Sequence, residues 1–281
     1  MSNENTTQLV TLIGTKPGNL SQIMHNAAYQ YLGLDFVYIP VAIPNIPNAH
    51  NLERFIEGIR GASNYRGSSV TMPYKEDVIL YLDRIDAVAM EIGAVNTFVK
   101  EGRDLVGYNT DYIGAIEALK EETELEGKTV ILVGAGGAAR AIAYGLKENK
   151  ANVIGFNRTP NKVEDLAERF GLEVGGDLER IKDFKDYDIM INATSVGAYP
   201  DINKSIVEED AIKEGKIVMD IVSKPLRTML LKLAEDRGCK IIQGYKMLVY
   251  QAVPQVELFT GRKVTRDVMK VMERAVVEAL K

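Results

Sequence analysis

The chain has 281 residues, of which 46% are hydrophobic and 26% are charged. This composition is typical of a water-soluble globular protein, and the length suggests two domains of ordinary size. The net charge of −5 argues against a nucleic-acid partner, since such a partner requires a basic surface.

The N-terminal part of the chain predicts an α/β domain over residues 1–111. Its first residues lack the basic start and apolar stretch of a signal peptide, and no run of about 18 apolar residues follows, so we expect neither a targeting signal nor a membrane anchor. From Leu9 to Gly107, short apolar runs (LVTLIG, FVYIPVAI, SSVTMP) alternate with stretches of helical period (SQIMHNAAYQYLG, NLERFIEGIRGA). This alternation is typical of α/β proteins.

A lysine stands just after a predicted strand in the segment GSSVTMPYKED. Because Pro73 cannot donate to a sheet ladder, the strand ends nearby and leaves Thr71 and Lys75 at its carboxyl end. Ligands of open α/β sheets bind at that end. Taken alone, a lysine in a charged turn is more often a solvated surface group. The later motif VGYNTDYIG offers Asp111 as a carboxylate partner at the junction with the next domain.

The middle of the chain predicts a Rossmann domain over residues 112–244. A helical stretch is followed by strand, glycine turn, helix and strand in EGKTVILVGAGGAARAIAYGLKENKANVIGFNRT. Two buried strands (DYDIMINATSVG, KIVMDIV), a helix (KPLRTMLLKLAEDRG) and a last strand (KIIQG) come next. Residues 245–281 are predicted to form helices that pack back on the first domain.

The glycine turn predicts a dinucleotide site. The free N–H groups of the helix's first turn bind anions. Gly134 allows the tight turn, Gly136 lets a pyrophosphate approach the backbone, and Ala139 stands where a third glycine is common. The strand-turn-helix-strand context favours this interpretation over a purely structural turn. The predicted cofactor contacts in the turn are Gly134, Ala135, Gly136, Gly137 and Ala138.

The end of the next strand favours NADP over NAD. An NAD site has an acidic residue there for the ribose 2′-hydroxyl, whereas this chain has Asn157, Arg158 and Thr159. The Arg158 guanidinium suits a 2′-phosphate, with Lys162 one turn further on. If Arg158 is considered alone, apart from the absence of an acidic residue, a solvated surface arginine is an equally good interpretation.

Cysteine and histidine are scarce. The single cysteine, Cys239, excludes an intrachain disulfide, so a reducing cytoplasm is the expected location. The two histidines, His25 and His50, have no cysteine or carboxylate at ligand spacing, and no metal site is predicted.

Seven short motifs between Leu12 and Gly261 occur in an order that resembles the shikimate dehydrogenase family. They are VTMPYK, GAVNT, GYNTD, GAGGAARA, NRT, NATSVG and GYKMLVYQA. The resemblance implies reversible, NADP-dependent reduction of 3-dehydroshikimate to shikimate, with a small polyol acid as the binding partner. It implies Lys75 and Asp111 as the catalytic pair. The substrate contacts that it implies are Asn19, Ser21, Thr71, Asn96 and Gln251. The further cofactor contacts that it implies are Thr194, Ser195, Val196, Ile221, Gly244 and Met247.

Four positions depart from the family's pattern around the substrate. The first loop has Asn19 where the family has a serine, and Ser69, Ala198 and Ser223 replace asparagine, methionine and tyrosine. Each pocket hydrogen bond left unmade costs ~1–3 kcal/mol, so shikimate binding is expected to weaken. The segments TKPGNLSQIMHN and DIVSKP are more similar to the divergent shikimate dehydrogenase-like subgroup, whose substrate is uncertain.

Other functions and roles stay open at this level. One is an NAD-dependent quinate/shikimate dehydrogenase, which Arg158 disfavours, and another is an NADP-binding sensor without turnover, which the presence of both Lys75 and Asp111 disfavours. Lys75 either transfers the proton or stays charged and stabilises a developing alkoxide. The sequence does not separate a monomer from a homodimer.

Overall fold

The computed structural model describes residues 6–184 and 186–281, and the chain divides into two compact units. The first unit contains residues up to Thr110 together with Gln251–Ala279, and the second contains Asp111–Tyr250. Each unit is built on a six-stranded sheet flanked by helices, so the predicted α/β class is confirmed. Residues 1–5, the start of the segment for which no targeting signal is predicted, lie outside the described residues.

The first unit combines parallel and antiparallel strands in one sheet. Its strands are β1 (Gln8–Gly14), β2 (Phe36–Ala42), β3 (Tyr65–Val70), β4 (Arg84–Ile85), β5 (Thr97–Glu101) and β6 (Asp104–Tyr108). Its first three helices are α1 (Leu20–Tyr31), α2 (Asn51–Arg60) and α3 (Ala87–Ile92). The strand order is β2-β1-β3-β5-β6-β4, with β5 antiparallel to both of its neighbours. The parallel strands β1 and β3 end side by side and place Gly14 and Thr71 at one edge.

The β5–β6 hairpin was not predicted from the sequence. Glu101 pairs with Asp104, so the loop has two residues, and Gly102 takes the positive φ of +66° that such tight turns require. The hairpin matters for the site because it begins directly after Asn96, which is 2% exposed.

The second unit is a doubly wound Rossmann domain. Its strands are β7 (Thr129–Val133), β8 (Asn152–Phe156), β9 (Glu173–Gly176), β10 (Ile189–Asn192), β11 (Ile217–Asp220) and β12 (Lys240–Ile242). Its helices are α4 (Asp111–Lys120), α5 (Gly137–Glu148), α6 (Asn161–Phe170) and α7 (Met229–Asp236). All strand pairs are parallel, in the order β12-β11-β10-β7-β8-β9. The order reverses between β10 and β7, and ligands of open α/β sheets bind at that point.

Two details of this unit differ from the sequence analysis. β9 was not predicted, and α7 is shorter than the predicted helix. The predicted stretch began at Lys224, but α7 begins at Met229, after Thr228 accepts a hydrogen bond from Leu231 N as the helix cap. Pro225 interrupts the region before the cap, since proline lacks the N–H that a helix needs.

Two helices complete the chain, α8 (Gly244–Thr260) and α9 (Arg266–Leu280). The predicted return to the first domain is confirmed, because the Gln255 amide donates to the Thr97 hydroxyl at 2.8 Å. The first unit resumes inside α8 at Gln251, six residues later than the predicted boundary at 245. No helix among the described residues is both long enough and apolar enough to span a membrane.

Candidate active site

Thr71 and Lys75 follow the carboxyl end of β3, where the sequence placed them. The strand ends at Val70, and the Thr71 N–H donates to the carbonyl of Ile13 in the neighbouring strand at 2.9 Å. The close packing of Thr71 depends on Gly14, because a Cβ atom there would lie 2.4 Å from Thr71 Cγ2. The turn after β3 is therefore fixed against β1 by backbone contacts.

Lys75 is half-buried in the turn after Pro73. Its carbonyl oxygen accepts a hydrogen bond from the Val95 N–H at 2.7 Å, and Val95 immediately precedes Asn96. The backbone of Asn96 is in turn bonded to β3, since its carbonyl accepts from the Val70 N–H at 2.7 Å. These bonds hold the Lys75 turn beside the Asn96 segment.

Asn96 is the centre of a buried hydrogen-bond network. Its Oδ1 accepts from the Thr110 N–H at 2.8 Å and from the Thr97 hydroxyl at 2.9 Å. Its Nδ2 donates to Thr110 Oγ1 at 2.9 Å and to Gln251 Oε1 at 3.2 Å. The network fixes the orientation of the Asn96 amide and brings together two of the predicted substrate contacts, which are 155 residues apart in the sequence.

Asn19 and Ser21 lie at the start of α1. Asn19 is the exposed N-cap residue, and its side chain makes no capping hydrogen bond. Ser21 is half-buried, and its carbonyl oxygen lies 2.9 Å from Nδ1 of His25 one turn later. Since a carbonyl can only accept, Nδ1 carries the proton of the neutral ring. The Asn19 amide is therefore available at the helix start, whereas the Ser21 hydroxyl lies near the Tyr38 hydroxyl.

His25 is fully buried and stacks on Tyr38, with ring centroids 4.2 Å apart. Burial lowers the pKa of His25 to about 4, so the imidazole is neutral at physiological pH. It serves as a packed residue of the first unit.

Three buried hydroxyl groups of the first unit make no well-formed hydrogen bond among the described residues. They are Tyr29 Oη, Tyr38 Oη and Ser69 Oγ. Burial raises the pKa of Tyr38, and the nearby Ser69 and Ser21 hydroxyls act in the opposite direction. Ser69 is also one of the four departures from the family pattern.

The glycine turn of the second unit has the geometry expected of a diphosphate-binding loop. Gly134 follows β7 with φ +122°, and its N–H donates to the Phe156 carbonyl at 2.8 Å. Gly136 caps α5 in an extended conformation, and a Cβ atom there would meet nothing within 4 Å. Ala139 is fully buried, as expected for the residue that packs helix against strand. The space in front of Gly136 faces the N-terminus of α5, where anions bind.

The end of β8 carries an exposed arginine. Arg158 is exposed, and Asn157 shapes the turn by donating from Nδ2 to the Thr159 carbonyl at 3.0 Å. Lys162 is also exposed, in the first turn of α6. Two cations thus stand at the position where an acidic residue would select NAD.

The loop after β10 contains Thr194, Ser195 and Val196. The Thr194 hydroxyl donates to Asn192 Oδ1 at 2.7 Å and accepts from the Val196 N–H at 3.1 Å. Ser195 is exposed. A Cβ atom on Gly134 would lie 2.9 Å from the carbonyl oxygen of Ala193, so this loop and the glycine turn are in close contact across the switch point.

Gly244 and Ile221 also meet in the second unit. A Cβ atom on Gly244 would lie 2.5 Å from the Ile221 carbonyl oxygen, so only glycine fits at the start of α8. Met247, one turn later, is 5% exposed and so presents little of its surface to a ligand. Asp111, the first residue of α4, is 1% exposed.

The sequence analysis did not identify Gln255 or a buried polar network in the second unit. Gln255 lies one helical turn after Gln251 and is 4% exposed. Asp220, Asn192 and Thr228 form a buried network in the second unit. The available signal was a polar residue at the end of an apolar run, as in KIVMD and IMIN.

Family models match most of the chain. The shikimate dehydrogenase substrate binding domain matches residues 18–98, the shikimate / quinate 5-dehydrogenase model matches residues 117–226, and the shikimate 5'-dehydrogenase C-terminal domain matches residues 244–270. Among curated relatives, the shikimate dehydrogenase (NADP(+)) of Pyrococcus furiosus is 43% identical over 253 residues, which cover 90% of this chain and 89% of the relative.

Solved structures of shikimate dehydrogenases also match the chain. A shikimate dehydrogenase in complex with NADP+ superposes with a TM-score of 0.89 at 38% identity, covering 98% of this chain and 96% of the other. The Thermus thermophilus enzyme in complex with NADP(H) and shikimate has a TM-score of 0.86 at 34% identity, covering 97% and 100%. A shikimate 5-dehydrogenase-like protein is less similar, with a TM-score of 0.81 at 28% identity, covering 99% and 100%. These values favour the ordinary enzymes over the divergent subgroup.

Proposed function

Because this chain belongs to the shikimate dehydrogenase family, we propose that it catalyses the reversible, NADP-dependent oxidation of shikimate to 3-dehydroshikimate. The observation that carries the proposal is the hydrogen bond between Asn96 and Gln251, which unites two substrate-binding positions of the family pattern in one buried network. A nucleotide-binding sensor has no need of such a network.

The residues of the second unit fit a bound NADP molecule. Gly136 leaves open space before the α5 N-terminus for the diphosphate. Arg158 offers a fixed fork of N–H donors for the 2′-phosphate, without a neighbouring acid in Asn157-Arg158-Thr159 to favour NAD. When bound, the nicotinamide would supply or accept the hydride.

The remaining cofactor contacts are proposed from the loops at the same end of the sheet. They are Ala135, Gly137 and Ala138 in the glycine turn, Asn157 and Thr159 beside Arg158, Thr194, Ser195 and Val196 after β10, and Ile221, Gly244 and Met247 around the start of α8. Because Met247 is 5% exposed, only a small part of its side chain is accessible to the cofactor.

The first unit binds the substrate and handles the proton. Asn19 and Ser21 at the α1 N-terminus hold the carboxylate, while Thr71, Asn96 and Gln251 bind ring hydroxyl groups. The helix N-terminus adds a partial positive charge that favours the carboxylate.

Lys75 and Asp111 act as the catalytic pair in this proposal. The Lys75 ammonium has two available roles: it transfers the proton of the reacting hydroxyl, or it stays charged and stabilises the alkoxide. Asp111 is assigned as its carboxylate partner from the family pattern. The single cysteine of the chain is consistent with activity in a reducing cytoplasm.

The function is tested by following the absorbance of reduced nicotinamide with the purified protein, shikimate or quinate, and NADP or NAD. We expect the highest kcat/KM with shikimate and NADP. The Lys75→Met variant should lose ~10²–10⁴-fold in kcat, whereas Lys100→Met, which removes a lysine that bonds the carbonyls of Arg60 and Ala62, should keep its kcat. Tight NADP binding without turnover on either acid would support the sensor instead.

A further inference from the structure

Asp220 is a fully buried carboxylate at the carboxyl end of β11. Its Oδ1 accepts from Asn192 Nδ2 at 2.9 Å and from the Val222 N–H at 3.0 Å, and its Oδ2 accepts from the Thr228 hydroxyl at 2.6 Å. Every partner is a donor, so the arrangement suits an ionised carboxylate, which can only accept. Burial raises the pKa of Asp220 to about 6, while the three donors act in the opposite direction.

The first arm of this network runs to the loop after β10. Asn192 is 1% exposed, and its Oδ1 accepts from both the N–H and the hydroxyl of Thr194, at 3.0 and 2.7 Å. Its Nδ2 also donates to the Val196 carbonyl at 3.2 Å. Asp220 accepts the second N–H of Asn192 Nδ2, and this bond helps to hold the amide in the orientation that faces the loop.

The second arm runs to the loop after β11. The Val222 N–H bond fixes the backbone directly after Ile221, and Thr228 connects the carboxylate to the first turn of α7. Gly197, at the end of the first loop, lies against Thr228, since a Cβ atom on Gly197 would be 3.5 Å from Thr228 Cβ. The two loops are therefore joined both through Asp220 and by direct packing.

We propose that Asp220 is a positioning residue for NADP, which fixes residues 193–197 and 221–228 in the arrangement that the cofactor requires. This inference rests on the proposed function, because Thr194 and Ile221 belong to the proposed cofactor contacts. Asp220 does not touch the cofactor in this scheme. It acts through Asn192 and Val222, and Thr228 holds the carboxylate in place.

A second aspartate provides the comparison that separates positioning from general stabilisation. Asp188 precedes β10 at its opposite end, and its Oδ2 accepts from the Thr129 N–H at 3.0 Å. It thus joins two strands of the same sheet, as Asp220 does, but far from the loops at the carboxyl ends. Loss of either carboxylate removes backbone support from the sheet, whereas only Asp220 supports the cofactor loops.

The test measures the Kd of NADP by calorimetry and the KM of shikimate at saturating NADP for the full chain. Asp220→Asn and Thr228→Val should raise the Kd of NADP about 10-fold or more, because each breaks the anchoring of Oδ2. Thr228→Ser keeps the hydroxyl and should bind NADP within about twofold of the wild type. Asp188→Asn should keep the wild-type Kd even if its Tm falls. The KM of shikimate should stay unchanged in all four variants.

Folded Asp220→Asn and Thr228→Val proteins with the wild-type Kd of NADP would overturn the inference. So would a Thr228→Ser variant as weak as Thr228→Val, or an Asp188→Asn variant with the same loss of affinity as Asp220→Asn. If Asp220→Asn does not fold, the Thr228→Val and Thr228→Ser pair decides. A wild-type protein that binds no NADP would overturn the proposed function itself, and the inference with it.

Discussion

Gly134 lies against the carbonyl of Ala193: a Cβ atom on Gly134 would stand 2.9 Å from that oxygen, and the residue has φ +122°. Gly136, two residues on, has an ordinary φ of −86° and no neighbour within 4 Å of its missing Cβ. These two glycines therefore differ. The fold requires glycine at position 134, whereas it leaves room for a side chain at position 136.

This difference predicts opposite phenotypes for two alanine variants. Gly134→Ala should lower the free energy of unfolding by about 2 kcal/mol or more, because it adds positive-φ strain to a steric conflict. Gly136→Ala should keep the wild-type Tm but raise the Kd of NADP at least about 10-fold, because its methyl group occupies the approach to the diphosphate. Thermal melts and calorimetry check both. Full NADP affinity in Gly136→Ala would argue against a diphosphate at this loop.

Arg158 is proposed to set the preference between the two nicotinamide cofactors. Arg158→Ala should raise the KM of NADP by about 10–100-fold and leave the KM of NAD nearly unchanged, because the lost contact is a charge-assisted bond to the 2′-phosphate worth ~1.5–3 kcal/mol. Lys162→Ala, at the neighbouring exposed cation, should have a smaller effect of the same sign. Initial rates with both cofactors check this. Equal losses with NADP and NAD would show that Arg158 serves something other than cofactor choice.

Two glutamines on one face of α8 should behave differently. Gln251 is half-buried and bonds Asn96, whereas Gln255 is 4% exposed and donates to Thr97. Gln251→Leu should raise the KM of shikimate about 10-fold with little change in Tm, because the lost group faces the substrate. Gln255→Leu should lower the free energy of unfolding by about 1–2 kcal/mol and leave the KM of shikimate unchanged. Interchanged effects would reassign the substrate contact to Gln255.

Local sequence signals predicted most elements of the Rossmann unit. The strands of this unit are buried on both faces, so they read as continuous apolar runs, and the glycine turn marks the first strand-helix junction. The same reasoning missed β9 and the β5–β6 hairpin, whose short strands contain glycine and charged residues, as in EVGG and TFVKE. Their pairing depends on neighbours far along the chain.

The candidate site was predicted residue by residue but not as a network. The sequence indicated Asn96 and Gln251 separately, and the resemblance supplied their roles, while the bond between them joins β5 to α8. Asp220 was not predicted because a single acid after an apolar run, as in KIVMD, is only a weak local signal. Its three partners are spread from Asn192 to Thr228, and only the fold brings them together.

His25 predicts an acid-dependent loss of stability. Burial lowers its pKa from 6.5 to about 4, so the folded protein binds fewer protons than the unfolded chain between these values. The contribution of His25 is fully present above pH 6.5 and is lost as the pH falls towards 4; it amounts to about 3 kcal/mol. Because the pKa of Asp220 is raised, its contribution to stability changes with pH in the opposite direction between about pH 4 and pH 6. The effect of His25 is therefore measured as the difference between the wild type and a His25 variant.

Urea unfolding at several pH values between 4 and 7 isolates this effect. His25→Gln should remove the slope that His25 contributes, so that its stability falls less than that of the wild type on acidification. His50→Gln, which changes an exposed histidine paired with Glu53, should follow the wild-type curve. Parallel curves for His25→Gln and the wild type would mean that the pKa of His25 is the same in the folded and the unfolded protein, so that burial does not lower it.

Ser68 and Ser69 are adjacent in β3 and both buried, yet their hydroxyl groups have different surroundings. Ser68 Oγ is hydrogen-bonded to Thr11 Oγ1 at 2.6 Å and to the Tyr65 hydroxyl, whereas Ser69 Oγ lies near the Tyr38 hydroxyl and makes no well-formed hydrogen bond among the described residues. Ser68→Ala should therefore lower the free energy of unfolding by about 1–3 kcal/mol, because it leaves two hydroxyl groups less well paired.

Ser69→Ala should cost almost no stability, because it removes a buried polar atom that is not hydrogen-bonded. If the Ser69 hydroxyl binds the substrate, the same variant should lower kcat/KM for shikimate about 5–10-fold, mainly through KM. Ser69→Asn, which restores the family's amide at this position, should raise kcat/KM. Urea melts and initial rates separate the two effects. An unchanged KM in both Ser69 variants would place the Ser69 hydroxyl outside the substrate site and leave Asn19, Ala198 and Ser223 as the departures to test.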